Sequence, residues 1–543
     1  MKKKSIIVVC TVVVLTIISC VLLESAEYVF IPKQERYIDH LANSSADSTL
    51  GLTQIPEDGI VDESFTSHLP LIIIDTGGEE IINYKTYNSD TEAFDEPDGI
   101  DPYFDMTLSV IDNESHINTL ADTRCIETLG KIKVRGNSSA SKYLPKYQYA
   151  LKLLDENGDN ADVSLLDMGA ENSWILSPTV RDLSYIRNYL AFNIAGQLEP
   201  YQSDVRYCEV LFKNNNQYEY IGLYMLYEPV EVSDNRIDIS KDVSKYDLGQ
   251  GFLVKKDRFD KNEMVLYTWA TQENKYSWFE NDLKKGSYFS LEYPSDEDAS
   301  DGVVENIINE ISEIEMLLYN DELRDYTLLE QKLDMDSFVD YFLINEFFGN
   351  YDAGLYSTFL YKSADGKLTM GPYWDFDAAM DNADLTLAEV NSFVFSQRPW
   401  FDCLVKMKEF VDKLDSRYKE LRRSILSDEY IDSFVDDTFD YLGNAVLRDR
   451  SVYYDYFNKL EIVEEKSSGL NIDRNRYTPI DEIQRIKDFL YEHGSYMDLH
   501  ISDLTWYVED DGKTTANNTV AGLGFIVIIL IVIVVIQRYR NSL

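Results

Sequence analysis

Histidine, cysteine and basic residues are scarce in this 543-residue chain, and each shortage excludes a class of protein. The five histidines are too few and too scattered along the chain for a zinc site built from histidine. Of five cysteines, Cys10 and Cys20 lie in an N-terminal apolar stretch. The other three, Cys125, Cys208 and Cys403, cannot all pair with one another, so no disulfide framework holds the fold. One bridge could form, but we expect three buried thiols.

Basic residues are outnumbered almost two to one, with 50 Lys+Arg against 96 Asp+Glu and a net charge of −46. A nucleic-acid binder needs a positive field over the phosphates, so this balance predicts that nucleic acid is not a partner. An acidic surface instead suits divalent cations and basic proteins. Disorder is also excluded for most of the chain, because hydrophobic residues make up 45% of it and aromatic residues 13%.

Both ends of the chain carry a long apolar run with basic residues on its outer side. Three lysines precede the first run, at residues 6–23, which predicts a signal peptide or an N-terminal membrane anchor over residues 1–26. The second run, at 520–536, predicts a transmembrane helix followed by a short basic tail at 537–543. Positive residues mark the cytoplasmic side, so we expect a membrane-anchored protein whose bulk is extracytoplasmic.

Between these ends the pattern changes from strands to helices. Residues 27–65 are polar and predict a spacer, while short apolar runs at 69–75 and 103–111 predict strands. From about residue 300, apolar side chains recur at helical spacing. The sequence therefore predicts an α+β protein with two unlike lobes over residues 66–500, strand-rich in its N-terminal half and helix-rich in its C-terminal half. Residues 501–519 would form a stalk.

The stretch from Asp336 to Met380 carries the clearest chemical pattern. A helix is expected to begin near Asp336 and to end near Gly349, which places Asp352 in the loop beyond it. A predicted hairpin then returns the chain to the WDFD segment at 374–377, so Asp352 and Asp375 should lie close together. One carboxylate could hold Mg²⁺ while the other orients a nucleophile. The alternative is that Asp352 caps a turn and the other two acids are solvated.

A series of short motifs in a fixed order resembles the CotH family, atypical kinases named for a spore-coat protein. The motifs are KVRGNS at 133–138, PKY at 145–147, DLSYIRN at 182–188, GLYMLYE at 222–228, GFLVK at 251–255, NYD at 350–352 and WDFD at 374–377. The likeness implies an atypical protein-kinase-like two-lobed fold. It also implies transfer of the ATP γ-phosphoryl group to Ser or Thr of a surface or spore-coat protein, with Mg²⁺ or Mn²⁺ as the metal.

The resemblance also implies roles for individual residues. Asp352 would be the catalytic-loop aspartate that orients the acceptor hydroxyl, while Asp375 and Asp377 would hold the metal. The residues implied to contact ATP are Arg135, Asn137, Lys146, Lys152 and Glu228. Lys152 alternates with apolar neighbours and so could simply face solvent, and Glu228 could be a polar strand end. Arg187 and Asn188 are expected to fix a helix to the sheet, with a role in the site as the alternative.

One departure from the kinase pattern leaves other functions open. Protein kinases place a metal-binding Asn five residues after the catalytic Asp. Ser357 occupies that position here, and a hydroxyl binds Mg²⁺ more weakly than a carboxamide does. A catalytically inactive scaffold at the cell or spore surface, or a metal-dependent phosphoester hydrolase that uses the same acids on water, would fit the same residues.

Overall fold

The computed structural model describes most of the chain between residues 30 and 508. The described residues are 30–88, 93–95, 99–135, 146–179, 182–215, 217–239, 249–258, 263–273, 287–295, 298–382, 390–454 and 478–508. Within them, no helix is both long enough and apolar enough to cross a membrane. The two predicted membrane segments, 6–23 and 520–536, lie outside the described residues.

Strands dominate the first half of the described chain. They are β1 Ile60–Val61, β2 Thr66–Ser67, β3 Leu71–Asp75, β4 Thr86–Asn88, β5 Ala93–Asp95, β6 Phe104–Ile111, β7 Asn118–Thr119, β8 Ile126–Arg135, β9 Gln148–Leu154, β10 Ser173–Pro178, β11 Val205–Asn214, β12 Gln217–Tyr227, β13 Phe252–Arg258, β14 Val265–Leu266, β15 Ser287–Tyr293, β16 Thr358–Lys362 and β17 Thr369–Met370.

Helices dominate the second half. They are α1 Asp39–Ala42, α2 Arg187–Ala195, α3 Trp269–Gln272, α4 Asp301–Tyr319, α5 Tyr326–Lys332, α6 Met335–Phe347, α7 Phe401–Leu404, α8 Lys408–Arg422, α9 Asp428–Val452 and α10 Pro479–His500, with 3₁₀ turns at Phe395–Gln397 and Ile501–Tyr507.

Seven of the strands form a sheet that closes on itself. The order is β12-β10-β9-β8-β6-β3-β11, and β11 pairs with β12 to complete the ring. All neighbours are antiparallel except β3 and β11, which run parallel. Alternation along the strands gives the ring an apolar inner face, because Leu151 and Leu153 of β9 point into a buried apolar interior while Lys152 lies on the outer face. We call this element the closed sheet.

The predicted kinase-like two-lobed fold is wrong. The strands of the first half form the closed sheet, whose interior has its own apolar core. Its outer face does not belong to a separate lobe, since Ile175 and Met225 share one continuous core with the helices of the second half, as far as Leu504. The sequence pattern could not reveal the closure, because the pairing of β3 with β11 joins apolar runs that are distant along the chain.

A second sheet of five strands, in the order β14-β15-β13-β16-β17, packs on the same core. It contains the hairpin expected between Asp352 and Asp375, formed by the antiparallel pairing of β16 with β17. Helix α6 leads into this hairpin. The second sheet and α6 therefore position both ends of the predicted catalytic segment.

The N-terminal residues predicted as a spacer pack in part onto the fold. Asp39 and Phe65 are buried, and the side chain of His40 contacts Thr438 of α9 at 3.0 Å. The three cysteines outside the N-terminal stretch are free thiols; two are buried as expected, but Cys125 is exposed. Helix α9 thus connects the first described residues to the C-terminal half of the chain.

Candidate functional site

Two loops meet at the end of the β16–β17 hairpin, and each carries aspartates singled out from the sequence. The first loop follows α6 and contains Asp352, and the second follows β17 and contains Asp375. The loops contact each other: Asn350 Nδ2 lies 3.5 Å from the Trp374 carbonyl, and the Ser357 hydroxyl donates to Asp375 Oδ2 at 3.2 Å. Asp352 lies between Asn350 and Ser357 in sequence, so these contacts bring its loop to the loop that carries Asp375.

Asp352 is half-buried, and its backbone carbonyl closes the loop by accepting hydrogen bonds from the N–H groups of Leu355 and Tyr356. Among the described residues, no group donates a hydrogen bond to its carboxylate. The charge of Asp352 acts on Arg398, whose pKa is lowered by burial and raised in part by Asp352. The carboxylate can therefore accept a hydrogen bond from a ligand hydroxyl.

Arg398 packs against the Asp352 loop and holds it through a hydrogen bond. No sequence pattern indicated this role. The side chain is 6% exposed and donates to the backbone carbonyl of Tyr351. It packs so closely on Gly354 that a Cβ there would lie 3.0 Å from the Arg398 Cβ, and Gly354 has a φ of +82°. Glycine at 354 therefore meets both a steric and a conformational requirement of the loop.

In the second loop, one buried aromatic side chain lies between two half-buried aspartates. Phe376 is fully buried and packs against Phe348, while Asp375 and Asp377 on either side remain half-buried. The backbone N–H of Phe376 donates to Asn188 Oδ1 at 2.7 Å. The buried phenyl ring and this hydrogen bond fix the backbone between the two carboxylates.

Arg187 holds the same loop further along. Its guanidinium donates to the carbonyls of Ala379 and Met380 at 3.1 and 3.2 Å, and it forms buried ion pairs with Asp182 and Glu482. These ion pairs raise the pKa of Arg187 although burial opposes them. The pair Arg187–Asn188 was expected to fix a helix to the sheet, and it instead fixes α2 to the loop that carries the two acids.

Arg135 lies at the outer face of the closed sheet, beside the second loop. Its guanidinium carbon is 5.9 Å from the centre of the Trp374 ring, and Nη1 donates to Gln148 at 2.7 Å. Burial raises the pKa of the neighbouring Tyr227 to about 12, with Arg135 lowering it and Asp375 and Asp377 raising it. Because Trp374 directly precedes Asp375 in the chain, its contact with Arg135 gives the second loop a neighbouring cation.

Lys146 is located elsewhere. Its side chain is fully buried and forms an ion pair with Asp449 of α9 at 2.7 Å, and it also donates to the Leu223 carbonyl. Burial lowers the pKa of Lys146, and Asp449 opposes that shift. Gly222 makes room for this pair, since a Cβ there would lie 2.3 Å from Asp449 Oδ1. In this structure Lys146 therefore joins the closed sheet to α9 and does not face the loops.

The other residues predicted to contact ATP lie in different parts of the structure. Lys152 is half-buried on the outer face of β9, four residues and about 13 Å along the strand from Gln148. Glu228 is 3% exposed, and its Oε2 accepts hydrogen bonds from the Tyr201 hydroxyl and from the Asp204 N–H. Asn137 lies outside the described residues. Among the described residues, no hydrogen bond or ion pair joins Lys152 or Glu228 to the three aspartates of the loops.

A lysine that received no role from the sequence lies on the second sheet near the same aromatic side chain. Lys255 of β13 is opposite Phe359, whose ring centre is 6.1 Å from that of Trp374. Its ammonium group pairs with Glu263 and Glu292. Burial lowers its pKa, but the two acids outweigh this effect and raise it. The GFLVK motif at 251–255 was the only sequence signal for this position.

The side chains where the loops meet are oxygen donors of the kind that Mg²⁺ and Mn²⁺ prefer. They comprise the carboxylates of Asp375 and Asp377, the Ser357 hydroxyl and the amide of Asn350. Asn350 is 2% exposed, and its Oδ1 has no hydrogen-bond partner among the described residues. No group of three or more Asp, Glu, His or Cys side chains in that part of the chain could hold a metal on its own. These residues fit a metal that completes its coordination with water and phosphate.

Comparison with known proteins identifies the family of this chain. A family model described as CotH kinase protein matches residues 132–497, about two thirds of the chain. No curated protein matches the chain. The matched region begins within β8 and ends within α10, so it includes both loops of the candidate site.

Proposed function

Because the chain belongs to the CotH kinase protein family, we propose that it transfers the γ-phosphoryl group of ATP to a Ser or Thr hydroxyl of another protein. The observation that carries the proposal is the docking of the Asp352 loop onto the Asp375 loop through Asn350 and Ser357. Phosphoryl transfer depends mainly on positioning and on neutralising charge. The first loop provides a carboxylate to orient the acceptor hydroxyl, and the second provides carboxylates that would hold the charge-neutralising metal.

Each residue has a definite task in this proposal. Asp352 accepts a hydrogen bond from the acceptor hydroxyl and takes its proton as the new oxygen–phosphorus bond forms and the bond to the β-phosphate oxygen breaks. Asp375 and Asp377 hold Mg²⁺ or Mn²⁺, which when bound neutralises charge on the phosphates. Arg135, beside Trp374, is the cation for the phosphates, and Lys255 is a second candidate. Asn188 and Arg187 keep the metal-binding loop in place.

A second candidate function is a scaffold that binds a surface partner without turnover. The observation in its favour is that Lys146 and Glu228, two of the residues implied to contact ATP, are used inside the fold. The substitution of Ser357 for the kinase Asn points in the same direction. Under this alternative, partner binding would not depend on Asp375 or on a metal.

We propose an extracytoplasmic location and a membrane attachment from the sequence alone. The basic residues outside the apolar runs at 6–23 and 520–536 support it. The acidic net charge of −46 favours a basic protein as the substrate, such as an exported or spore-coat protein. The kinase-type unit predicted over residues 66–500 would also include the turn at Ile501–Tyr507, because Leu504 is part of the core. The stalk predicted at 501–519 would therefore be limited to residues 509–519.

The test uses the purified full-length protein with ATP, Mg²⁺ or Mn²⁺ and a basic, Ser-rich protein. Intact-mass spectrometry counts the phosphates added, and Asp352→Asn and Asp375→Asn serve as the site variants. We expect incorporation by the wild type and at least a 100-fold loss in both variants. No incorporation with either metal would favour the scaffold, and phosphate release from a phosphomonoester without a protein acceptor would favour the hydrolase.

A further inference from the structure

His493 of α10 lies with both of its ring nitrogens against oxygen atoms. The side chain is 2% exposed. Nδ1 is 2.9 Å from the Val390 carbonyl, and Nε2 is 3.0 Å from the Glu346 carbonyl and 3.4 Å from Glu346 Oε1. Carbonyl oxygens only accept hydrogen bonds, whereas a neutral imidazole has one N–H and one bare lone pair. Both contacts are therefore satisfied only when His493 carries two protons and a positive charge.

The surroundings of His493 favour the charged form. Nε2 contacts the last turn of α6, where the helix dipole places partial negative charge, and the Glu346 carboxylate adds a full one. Burial lowers the pKa of His493, but the contacts with Glu346 and Val390 outweigh burial and raise it. The charged or titratable groups around this contact are Glu346 of α6, Arg398 after the 3₁₀ turn, Tyr496 of α10, and Tyr418 and Arg422 of α8 beside Gly494.

His68 is a buried histidine with a different arrangement of contacts. Its Nε2 is 2.6 Å from the Tyr441 carbonyl, but its Nδ1 has no hydrogen-bond partner among the described residues. One proton is sufficient there, and burial lowers the pKa of His68. Burial alone therefore does not favour a charged histidine in this chain. The second acceptor and the neighbouring carboxylate distinguish His493 from His68.

Glu346 connects His493 to the segment that follows Val390. The Glu346 carboxylate is buried and accepts hydrogen bonds from the backbone N–H groups of Val394 and Phe395 at 3.1 and 2.6 Å. Loss of the proton on His493 would leave this buried carboxylate without the cation it contacts, which is strongly unfavourable. The charge on His493 therefore keeps Glu346 in place against the segment.

The same segment leads to the first loop of the candidate site. Phe395 begins the 3₁₀ turn Phe395–Gln397, and Arg398 follows it directly. Arg398 donates a hydrogen bond to the carbonyl of Tyr351, the residue before Asp352. A change in the position of the turn would therefore move Arg398 and, with it, the Asp352 loop.

We propose that His493, as an imidazolium ion, is a positioning residue for the Asp352 loop. The contacts run from His493 to Glu346, from there to residues 394–398, and from Arg398 to the loop. This inference rests on the proposed function, because it makes phosphoryl transfer depend on a proton outside the reacting groups. Loss of that proton as the pH rises releases Glu346 and slows transfer.

Nuclear magnetic resonance measures the charge directly. The purified full-length protein is labelled with ¹³C-histidine, and the shifts of the ring carbons report the protonation of each imidazole. The signals of His493 and His68 are identified by their loss in His493→Gln and His68→Gln. We expect His493 to lose its proton at a higher pH than free histidine does, and His68 at a lower pH. A midpoint for His493 at or below that of free histidine would overturn the inference.

The rate of phosphate incorporation tests the positioning role. In the wild type the rate should fall over the pH range in which His493 loses its proton. His493→Gln has no positive charge, so it should be at least about 10-fold slower below that range and should lack the fall. His68→Gln removes another buried histidine and should keep the wild-type profile. A wild-type rate in folded His493→Gln, or the same fall with pH, would overturn the inference.

Hydrogen exchange tests the loop without any need for turnover. The N–H groups of Leu355 and Tyr356 donate to the Asp352 carbonyl, so their exchange rates report the order of the loop. His493→Gln should speed this exchange at least about 10-fold, and His68→Gln should not change it. Unchanged exchange in His493→Gln would overturn the inference.

The wild type gives the same test if His493→Gln does not fold. Its exchange in the Asp352 loop, corrected for the intrinsic effect of pH, should accelerate as His493 loses its proton, and a constant corrected rate would overturn the inference. If the wild type adds no phosphate to any protein, the proposed function fails. The exchange rates and the histidine titration then still decide whether His493 positions the loop.

Discussion

Asn188 accepts a hydrogen bond from the backbone N–H of Phe376 at 2.7 Å, which connects the start of α2 to the loop between the two predicted metal-binding aspartates. The two residues are 188 positions apart in the chain. The geometry of Asp375 and Asp377 therefore depends on a side chain that touches neither carboxylate in any described contact.

Replacing Asn188 should weaken both folding and metal binding. Asn188→Ala leaves the N–H of Phe376 without its partner, and we expect a loss of about 1–3 kcal/mol in the free energy of unfolding. Mn²⁺ affinity should fall about 10-fold, because groups that orient metal ligands typically contribute that much. Calorimetry and urea denaturation measure the two effects.

Asn193→Ala is the matched control for Asn188→Ala. Asn193 is a buried amide in the same helix, but its hydrogen bond goes to Tyr189, one turn earlier. We expect normal Mn²⁺ affinity in this variant. Equal losses of affinity in the two variants would contradict a specific role for the Asn188–Phe376 contact.

Arg398 should affect turnover rather than binding. Arg398→Lys keeps the charge but loses the planar group that reaches the Tyr351 carbonyl, so the Asp352 loop should shift. A displacement of about 1 Å at a reacting group can cost roughly 100-fold in rate. We expect that loss in the rate of phosphate incorporation, with nucleotide affinity within about threefold of the wild type. Arg423→Lys, at the exposed position directly after α8, should leave both unchanged.

Lys146 should prove essential for stability and dispensable for nucleotide binding. Lys146→Met leaves the buried carboxylate of Asp449 without its cation, and removing one partner of such a pair costs about 3–5 kcal/mol. The second change Asp449→Leu should restore part of the free energy of unfolding. Nucleotide affinity, measured on the folded double variant, should match the wild type. A specific loss of ATP affinity there would return Lys146 to the phosphate site.

The stability of the protein should depend on pH through Asp39. Burial raises the pKa of Asp39 from 3.8 to about 7, although Arg206 opposes the shift and the nearby acids Asp204 and Asp112 add to it. The folded state therefore binds a proton that the unfolded state has lost, and stability is highest below the unfolded pKa. The free energy of unfolding should fall as the pH rises from about 4 to about 7, by ~4 kcal/mol in total.

Asp39→Asn isolates this contribution. The amide keeps an oxygen that can accept the hydrogen bond from the Tyr207 N–H but does not titrate. The variant should match the wild type near pH 4 and be more stable above pH 7. Denaturation in urea at several pH values measures the difference, with Asp365→Asn in an exposed turn as the control. Parallel pH profiles for wild type and Asp39→Asn would contradict the role of Asp39.

Local patterns predicted the parts of the candidate site that are close in sequence. A hairpin signal between Asp352 and Asp375 indicated that their loops meet, and the pairing of β16 with β17 confirms the hairpin. Helical spacing after residue 300 likewise indicated α4 and α8. These features depend on turn residues and periodicity, which a single sequence shows directly.

Long-range pairing explains most of what the sequence did not reveal. Lys146 was expected at the phosphates, but its partner Asp449 is 303 residues further along the chain. The closed sheet depends in the same way on the β3–β11 pairing. A charged residue in a motif looks the same whether it contacts a ligand or a buried counter-ion, because both environments require the charge.

Closure of the sheet sets the minimum length of chain that can fold. A protein cut to the family match at 132–497 would lack β3 and β6, two adjacent strands of the ring, and would expose the free edges of β8 and β11. Open edges promote pairing between copies, so such a fragment should aggregate when expressed alone. The residues before the family match are therefore part of the folding unit, and truncation studies of the candidate kinase should keep them.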